Sequence, residues 1–519
     1  MKERNRKSFD TTENLIGQNI QDILDEKGGQ VESDQIKVEK NKKKKRKKSR
    51  IYLVISYGFA ALFILLIGYI VYFNVYLKDD VLKSSYNKRQ DSKAEYVVRG
   101  SIESADGNIL ARTDVDGDGN ESRVYPYGRL FAHVVGYVNN GKSGLESEEN
   151  YTLLTAHNNV VDHVVNDFLD QKNPGDTVVT TLYTSLQQTA YDALGDYNGA
   201  VIAMNPKTGE IYCMVSKPDF DPNTLSTDWN NLVSDSSASN LVNRVTQGKY
   251  TPGSIFKIVT AYAYYKEHGS FDDFSYECTG EITVGEHTVH CAGGEVHGQL
   301  DLKSAFANSC NCAFISMGLE LGASKLRDAA ETLLFNKDLP CDLTYNSASF
   351  SVNSSSDIFE LAQASFGQGT TLATPYQMAL VTCAIANGGT LMKPMLVSGV
   401  KNANGDQVSQ KGPEVYTQLI DSDEADALLD IMKAVVSEGT ATYLRDCGFD
   451  AAGKTGTADV VNADGSTTAN SWFVGVLNPE DPELVVAIVA EGGGSSSATA
   501  VPIAASLFST YLNSVKQAQ

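Results

Sequence analysis

An uninterrupted apolar run near the N-terminus constrains this chain more than any other feature. Ile51 to Tyr76 comprises 26 residues without a single charge. As a helix rising about 1.5 Å per residue it would reach about 39 Å, enough to cross a hydrocarbon core of roughly 30 Å. A cleaved signal peptide fits less well, because the run is too long and Leu77 to Asp80 lacks the small residues of a cleavage site. The sequence therefore predicts a single transmembrane helix over residues 51–76.

The charge on the two sides of this run predicts its topology. The net charge of the chain is −21, yet residues 1–50 contain 15 Lys and Arg against 9 Asp and Glu, so the remainder carries −27. Most of the positive charge lies between Lys40 and Arg50, which places the N-terminus in the cytoplasm by the positive-inside rule. An acidic remainder argues against nucleic acid as a partner. We expect a single-pass cell-membrane protein with most of its residues outside the cell.

Beyond the apolar run, the pattern predicts two domains of a mixed α/β protein. The 519 residues exceed the usual size of one domain. We interpret residues 1–50 as a basic, largely disordered cytoplasmic tail, 77–180 as a β-rich segment and 181–519 as a larger α/β domain. The larger domain shows these patterns: a helix at Leu182–Leu194, a hairpin over Gly199–Ser216, buried strands at Ser471–Val476 and Leu484–Ala490, and a closing helix at Ala498–Leu512. This order predicts terminal helices packed on one antiparallel sheet.

Three short motifs in the larger domain point to serine chemistry. Pro252-Gly-Ser-Ile-Phe-Lys257 opens an apolar helix, so Ser254 and Lys257 share one helical face. A serine hydroxyl needs a base, and a lysine can serve when burial and nearby positive charge lower its pKa. S-x-x-K alone occurs by chance in any long chain. Here Ser309-Cys-Asn311 and Lys454-Thr-Gly-Thr457 follow it in order.

The three motifs together resemble those of penicillin-binding proteins and serine β-lactamases. Further stretches extend the resemblance to the pedestal and transpeptidase domain of class B penicillin-binding proteins: Arg99-Gly-Ser-Ile102, Ala105–Ala111, Tyr125–Gly128, Gly144-Leu-Glu146, Pro218–Asn223, Gly367-Gln-Gly369 and Thr374–Met378. Phe366 departs from the isoleucine common in that family, and no stretch resembles a glycosyltransferase domain. The resemblance implies a β-rich pedestal at 77–180 and, at 181–519, a transpeptidase domain with an antiparallel five-stranded sheet flanked by helices.

The resemblance also implies a role for each motif residue. Ser254 attacks the penultimate D-Ala carbonyl of a peptidoglycan stem peptide, and Lys257 is its base. Ser309 and Asn311 relay protons and hold the substrate amide. The third motif supplies the remaining roles: Lys454 and Thr455 bind the terminal carboxylate, Gly456 lets the strand lie close to substrate, and the backbone N–H of Thr457 forms an oxyanion hole with that of Ser254.

The implied partners are stem peptides of lipid II-derived strands, β-lactams and a membrane-embedded lipid II polymerase. The serine chemistry itself requires no cofactor. Three alternatives remain open from the residues. The first is a β-lactamase or β-lactam sensor, which usually lacks a pedestal; the second is a non-catalytic scaffold, which need not keep all three motifs; the third is a D-Ala-trimming carboxypeptidase, which usually carries a different anchor.

The cysteines suggest a structural zinc ion. Cys278, Cys291, His297 and Cys310 follow the spacing C-x12-C-x5-H-x12-C, and three thiolates with an imidazole suit tetrahedral Zn²⁺. Cys310 lies inside the second motif, where its side chain should point away from the cleft, and the stretch from Cys278 to Cys291 reads as a β-hairpin that folds over it. Some class B relatives resemble this arrangement. A Cys278–Cys291 disulfide, with His297 as a surface residue, is the competing interpretation. Within the zinc interpretation His287 and His290 are rival ligands, which we expect on the exposed hairpin. Four other cysteines read as buried apolar residues: Cys213, Cys341, Cys383 and Cys447.

Overall fold

The computed structural model describes residues 6–77, 88–157, 165–166, 168–169, 171–235, 239–461 and 465–517. The chain divides into two compact units, Met1–Leu82 and Lys83–Gln519. The first unit is one long helix, α1 (Arg6–Tyr72), followed by a π-turn at Phe73–Leu77. The expectation of a largely disordered tail is therefore wrong for the described part. Lys, Arg, Glu and Gln are good helix formers, and the apolar segment supplies a nucleus that each further residue extends with one hydrogen bond.

Among the described residues, one helical stretch is long and apolar enough to cross a membrane. It covers Glu32–Leu77 and contains a window of mean hydropathy 2.4. The predicted span, residues 51–76, lies inside it.

The second unit is a mixed α/β structure. Its described strands are β1 (Val97–Val98), β2 (Ile102–Glu103), β3 (Ile109–Val115), β4 (Glu121–Val124), β5 (Asn173–Pro174), β6 (Thr177–Thr180), β7 (Gly199–Met204), β8 (Ile211–Lys217), β9 (Tyr276–Cys278), β10 (Glu281–Val284), β11 (His287–His290), β12 (Gly298–Leu300), β13 (Thr390–Met392), β14 (Val397–Lys401), β15 (Gln407–Gln410), β16 (Val415–Gln418), β17 (Ala451–Val461), β18 (Thr467–Leu477) and β19 (Leu484–Ala490). Its described α-helices are α2 (Ala132–Val135), α3 (Gly144–Glu148), α4 (Asn150–Leu153), α5 (Thr184–Leu194), α6 (Leu225–Ser234), α7 (Lys257–His268), α8 (Leu302–Ala307), α9 (Asn311–Thr332), α10 (Ile358–Ser365), α11 (Pro375–Ala386), α12 (Ser422–Ser437) and α13 (Ala500–Thr510). Shorter helical turns lie at Lys88–Glu95, Gly128–Phe131, Gly253–Phe256, Ala292–Gly294, Thr442–Cys447 and Tyr511–Val515.

The predicted five-stranded antiparallel sheet is present, in the order β17-β18-β19-β7-β8. Every residue of β7 and β19 is buried, so both faces of the sheet are covered, and strands in such a position must be apolar throughout. Helices α5 and α13 pack against each other and against the sheet, while α11 packs against its central strands. The prediction of helices packed on an antiparallel sheet is confirmed. Strand β17 lies at the edge.

A second sheet joins distant parts of the chain. Its order is β15-β14-β6-β2-β3-β4, and β6 pairs in parallel with β2 on one side and antiparallel with β14 on the other. Strands β14 and β15 come from residues 397–410, far along the chain from β2 to β6. Backbone hydrogen bonds therefore tie the N-terminal strands of this unit to the segment between α11 and α12.

A buried ion cluster stabilises the N-terminal strands. The Glu146 carboxylate is fully buried and lies 2.6 Å from Arg99 Nε and 2.7 Å from Arg123 Nε. Arg99 also donates to Asn150 Oδ1 at 2.6 Å. Burial alone would raise the pKa of Glu146, but the two guanidinium groups hold it below its ordinary value. The cluster fastens the strands to helices α3 and α4.

Candidate active site

The turn that carries Ser254 contacts the backbone of the third motif and of the Gly367-Gln-Gly369 stretch. Ser254 lies in the short helical turn Gly253–Phe256, which continues into α7. Gly253 has a φ of +56°, and a Cβ there would lie 2.6 Å from the carbonyl oxygen of Thr457. Its N–H donates to the carbonyl of Gly367 at 2.9 Å. Only glycine satisfies both the left-handed backbone and this close approach.

Gly456 serves the same turn from the other side. A Cβ at Gly456 would lie 2.9 Å from Pro252 O and 3.0 Å from Ile255 Cγ2. Strand β17 can therefore pack directly against the nucleophile turn. The family resemblance implies that Gly456 lets β17 lie close to the substrate. In the structure the nearest neighbours of Gly456 belong to the Ser254 turn.

Two lysines converge on the hydroxyl of Ser309. Lys257 Nζ donates to Ser309 O at 2.6 Å, to Asn311 Oδ1 at 2.8 Å and to Ser309 Oγ at 3.2 Å. Lys454 Nζ lies 2.9 Å from the same Ser309 Oγ. In the part of the chain that the structure describes, Ser254 Oγ makes no hydrogen bond. Catalytic hydrogen bonds are often formed only with substrate present, so this does not separate Ser254 from its base.

Burial lowers the pKa of both lysines. It lowers the pKa of Lys257 to about 7, against the opposing field of the cysteine sulfurs behind it. Burial, reinforced by the charge of Lys257, lowers the pKa of Lys454 well below its ordinary value. Two ammonium groups that share one hydroxyl in a dry site repel each other, so the pair is favoured with at least one lysine neutral.

The second motif sits on a strained connection. Ser309 lies between α8 and α9 with a φ of +57°, a conformation that L-residues rarely adopt. Cys310 caps α9, its sulfur accepting from the N–H of Ala313 at 3.4 Å. Asn311 Nδ2 donates to the carbonyl of His290 at 3.1 Å, which joins the motif to the β10–β11 hairpin.

These residues open onto one cleft of about 790 Å³. The motif residues that line it are Ser254, Ser309, Asn311, Thr455 and Thr457. Lys257 and Lys454 are fully buried next to it. Another cavity, of about 690 Å³, is lined by His133 and Phe220 among others and contains none of the motif residues. The cleft is therefore the candidate active site.

Sequence reasoning missed several residues of the cleft. Thr440 Oγ1 lies 2.5 Å from Thr455 Oγ1, and Ser496 Oγ donates to the carbonyl of Gly456 at 2.6 Å. Both residues line the cleft, as does Phe366. Lone Thr and Ser residues carry no spacing signal, and only the fold brings them to the motifs. Gln368 of the Gly367-Gln-Gly369 stretch lines the cleft as well.

The four predicted zinc ligands do come together. Cys278 Sγ lies 3.7 Å from Cys291 Sγ and 3.4 Å from His297 Nδ1, and Cys291 Sγ lies 3.7 Å from Cys310 Sγ. All four donor atoms fall within 4.8 Å of one another. Around a tetrahedral zinc with bonds of about 2.3 Å, two thiolate sulfurs would stand about 3.8 Å apart. The donor set fits that ion in both type and spacing.

The same geometry bears on the competing interpretations. The separation of 3.7 Å between Cys278 and Cys291 is far from the bonded sulfur distance of about 2.05 Å, and both are free thiols. The predicted hairpin is present as β10 and β11, with His287 and His290 exposed on it. A further thiol, Cys312, lies 3.4 Å from Cys291 Sγ. The sequence analysis does not include Cys312 in the cluster. Its C-x-C spacing from Cys310 is the sequence signal that could have identified it.

Two family models match the chain. "Penicillin binding protein transpeptidase domain" matches residues 199–509, and "Penicillin binding protein A dimerisation domain" matches residues 99–178. The chain belongs to the class B penicillin-binding proteins. All three motifs of this penicillin-binding protein lie within the first match.

Named relatives and solved structures agree with this assignment. A relative described as peptidoglycan D,D-transpeptidase PbpA of Mycolicibacterium smegmatis is 31% identical over 87% of this chain and 96% of its own length. The D,D-transpeptidase domain of a peptidoglycan glycosyltransferase from Eggerthella lenta is 34% identical, with a TM-score of 0.73 over 81% of this chain and 99% of that one. Penicillin-binding protein A of M. tuberculosis as a ceftriaxone acyl-enzyme is 27% identical, with a TM-score of 0.73 over 82% and 100%.

Proposed function

We propose that this protein is a serine D,D-transpeptidase that cross-links peptidoglycan stem peptides and is acylated by β-lactams. The observation that carries the proposal is the pair of buried lysines on Ser309 beside the Ser254 turn. Solved relatives trapped as ceftriaxone and penicillin G acyl-enzymes support it.

In the first half-reaction, Ser254 Oγ attacks the carbonyl carbon of the penultimate D-Ala. Lys257 accepts the hydroxyl proton, which a lysine with a pKa of about 7 can do at neutral pH. The developing oxyanion is held by the N–H groups of Ser254 and Thr457, each worth about 2.7–4 kcal/mol in comparable enzymes. The peptide C–N bond breaks, the proton passes through Ser309 to the leaving amine, and the terminal D-Ala departs.

In the second half-reaction, an amine of a neighbouring stem attacks the ester on Ser254. The amine loses a proton to the Lys257–Ser309 network, the C–O bond breaks and Ser254 recovers its hydrogen. Asn311 holds the substrate amide. Lys454 and Thr455 bind the terminal carboxylate of the donor before it leaves, since Lys454 supplies a buried amino group and Thr455 a hydroxyl at the cleft wall.

Penicillin labelling of the full-length protein in detergent tests this assignment. The adduct should map by mass spectrometry to the peptide containing Ser254, and Ser254→Ala should take up no label. Ser497→Ala, a serine at the cleft edge, is the matched control and should still be labelled. An adduct on another residue contradicts the assignment. Rapid release of hydrolysed penicillin would favour a β-lactamase instead.

The cysteine cluster leads to a finer proposal, a structural zinc ion held by Cys278, Cys291, His297 and Cys310. Their donor atoms have the spacing that tetrahedral zinc requires, and Glu295 lies 3.8 Å from the other ring nitrogen of His297, where carboxylates commonly orient a metal-bound imidazole. Bound zinc would supply a cross-link and no step of the acyl transfer. It would hold Cys310, and with it Ser309 and Asn311 on either side.

Elemental analysis of the purified protein tests the zinc site. We expect about one zinc per chain, lost in Cys291→Ser and retained in Cys383→Ser, which changes a buried cysteine outside the cluster. A metal-free wild-type protein, or a mapped disulfide between Cys278 and Cys291, contradicts the proposal.

The membrane topology and domain division are also proposals. Residues 51–76 would span the membrane with residues 1–50 in the cytoplasm, 77–180 would form the pedestal and 181–519 the transpeptidase domain. The basic run before the span supports the orientation, and the two family matches support the division. Protease added outside intact spheroplasts should cleave after residue 77 and spare the tail; cleavage within residues 1–50 contradicts the orientation.

We further propose a multi-pass lipid II polymerase as membrane partner, contacted through the span and the pedestal. Among the described residues one helical stretch could span a membrane, and the two family matches are to a transpeptidase domain and a dimerisation domain; both findings motivate it. Cross-linking in membranes should capture the polymerase, and replacing Ile51–Tyr76 by an unrelated span should reduce that yield. Unchanged capture, or none in the wild type, contradicts the proposal.

A further inference from the structure

Asp459 shares the cleft face of β17 with the third motif. Alternate residues of a strand point to the same side, so Thr455, Thr457 and Asp459 face the same way. All three line the cleft. The β17–β18 pairing continues through Asp459 opposite Ala469, which fixes the position of this carboxylate in the sheet. On its other side β17 pairs with no described strand, so it is the edge strand of the sheet.

The charge of Asp459 is unpaired. Among the described residues, none donates a hydrogen bond to its carboxylate or forms an ion pair with it. The other carboxylate lining the cleft, Glu295, has His297 as a neighbour at 3.8 Å. The described cleft lining contains no Lys or Arg, because Lys257 and Lys454 are buried behind it. The open cleft therefore offers negative charge without a matching cation.

The geometry of β17 sets the direction of a bound stem peptide. Its terminal carboxylate belongs near Thr455, beside the buried amino group of Lys454. Its scissile carbonyl belongs near Thr457, because the Ser254 turn lies against the carbonyl oxygen of Thr457. A Cβ on Gly253 would lie 2.6 Å from that oxygen. The preceding stem residues then continue toward Asp459, two strand positions or about 6.6 Å further along.

We infer that Asp459 binds the side-chain ammonium of the donor stem, on the residue that precedes the D-Ala pair. The inference rests on the proposed transpeptidase function. Cross-linking requires an amine on the acceptor stem, and donor and acceptor are the same peptide, so the donor carries that amine too. Asp459 is a specificity residue that meets the donor before acylation.

Two matched stem pentapeptides test this with the full-length protein in detergent. One has a free side-chain amine and the other is acetylated there. D-alanine release is measured with hydroxylamine in fixed excess, so that breakdown of the acyl-enzyme does not limit the rate. Wild type should prefer the free amine in kcat/KM by about two- to fivefold, the range of an exposed ion pair. Asp459→Asn should reduce the ratio to about one and leave benzylpenicillin acylation within twofold of wild type. Glu414→Gln, which removes an exposed carboxylate paired with Lys393 outside the cleft, should keep the preference.

Three results overturn the inference: equal wild-type rates on both peptides, a preference that survives in Asp459→Asn, or its loss in Glu414→Gln as well. Asp459→Asn could instead change only the ratio in which the acyl group passes to water or to an amine acceptor. That result would assign Asp459 to the acceptor and also overturn the inference. A wild type that is acylated by penicillin yet releases no D-alanine from either peptide overturns the transpeptidase function, and this inference with it.

Discussion

Ser309 Oγ accepts hydrogen bonds from two buried lysines, Lys257 at 3.2 Å and Lys454 at 2.9 Å. Both lysines lose water on burial, and the charge of Lys257 makes Lys454 harder to charge. The balance of protons between them therefore favours at least one neutral lysine beside Ser309.

This balance predicts a pH dependence of acylation. Because the pKa of Lys257 is lowered to about 7, its neutral fraction grows as pH rises through 7. The second-order rate constant with a fluorescent penicillin should rise roughly fivefold from pH 6 to pH 7 and level off near pH 8. Penicillin stays ionised over this range, so the profile reports the protein. A flat profile contradicts Lys257 as the base.

Gly456 permits a second prediction at this scale. In Gly456→Ala, the new Cβ would lie 2.9 Å from Pro252 O, so β17 or the Ser254 turn must shift. We expect acylation to fall at least about tenfold, with a loss of about 1–3 kcal/mol in unfolding free energy. Gly412→Ala is the control, since a Cβ there meets nothing within 4 Å. Equal acylation rates in both variants would remove the argument for close packing.

At the scale of elements, the β10–β11 hairpin forms one wall of the cleft and contacts the second motif directly. His290 accepts from Asn311, and Cys291, directly after the hairpin, belongs to the cysteine cluster. A metal in the cluster would therefore hold the hairpin and the second motif together.

Chelation should loosen this wall. Removal of zinc by a strong chelator should lower the midpoint of thermal unfolding by about 5 °C or more and slow penicillin acylation. Readdition of zinc should restore both. Cys291→Ser, which has no complete site, should be insensitive to the chelator. Identical melting curves with and without chelator in the wild type contradict a bracing role.

The elements also show what sequence can and cannot predict. Strands β7, β8, β18 and β19 were predictable because their apolar runs are continuous and end at turn residues. The left-handed Ser309 was not, since it connects two helices with different packing partners: α8 packs against α12, and α9 packs against α7 and α10. Thr440 and Ser496 reach the cleft only through long-range folding. The helical tail was mistaken for disorder because charge density was weighed above helix propensity.

For the whole molecule, the six-stranded sheet matters most. It binds β14 and β15 to the N-terminal strands, next to the ion cluster around Glu146. We expect the second unit to unfold as one cooperative body.

Glu146→Gln tests that expectation. The change leaves Arg99 and Arg123 buried without their shared carboxylate, at a cost of about 3–5 kcal/mol. Circular dichroism and penicillin labelling should be lost together, at one lowered temperature. Glu414→Gln, on an exposed pair with Lys393, should change neither. Two separate transitions, with labelling retained after the first, would show that the N-terminal strands melt independently.

The glycines around the nucleophile have a consequence for drug resistance. Gly253, Gly367 and Gly456 meet backbone or turn atoms so closely that any side chain would displace the Ser254 turn. Selection under β-lactam treatment has little freedom there. Adaptive substitutions should instead accumulate at other residues that line the cleft, such as Phe366 and Gln368, where a change can hinder a bulky antibiotic and still admit a slender peptide.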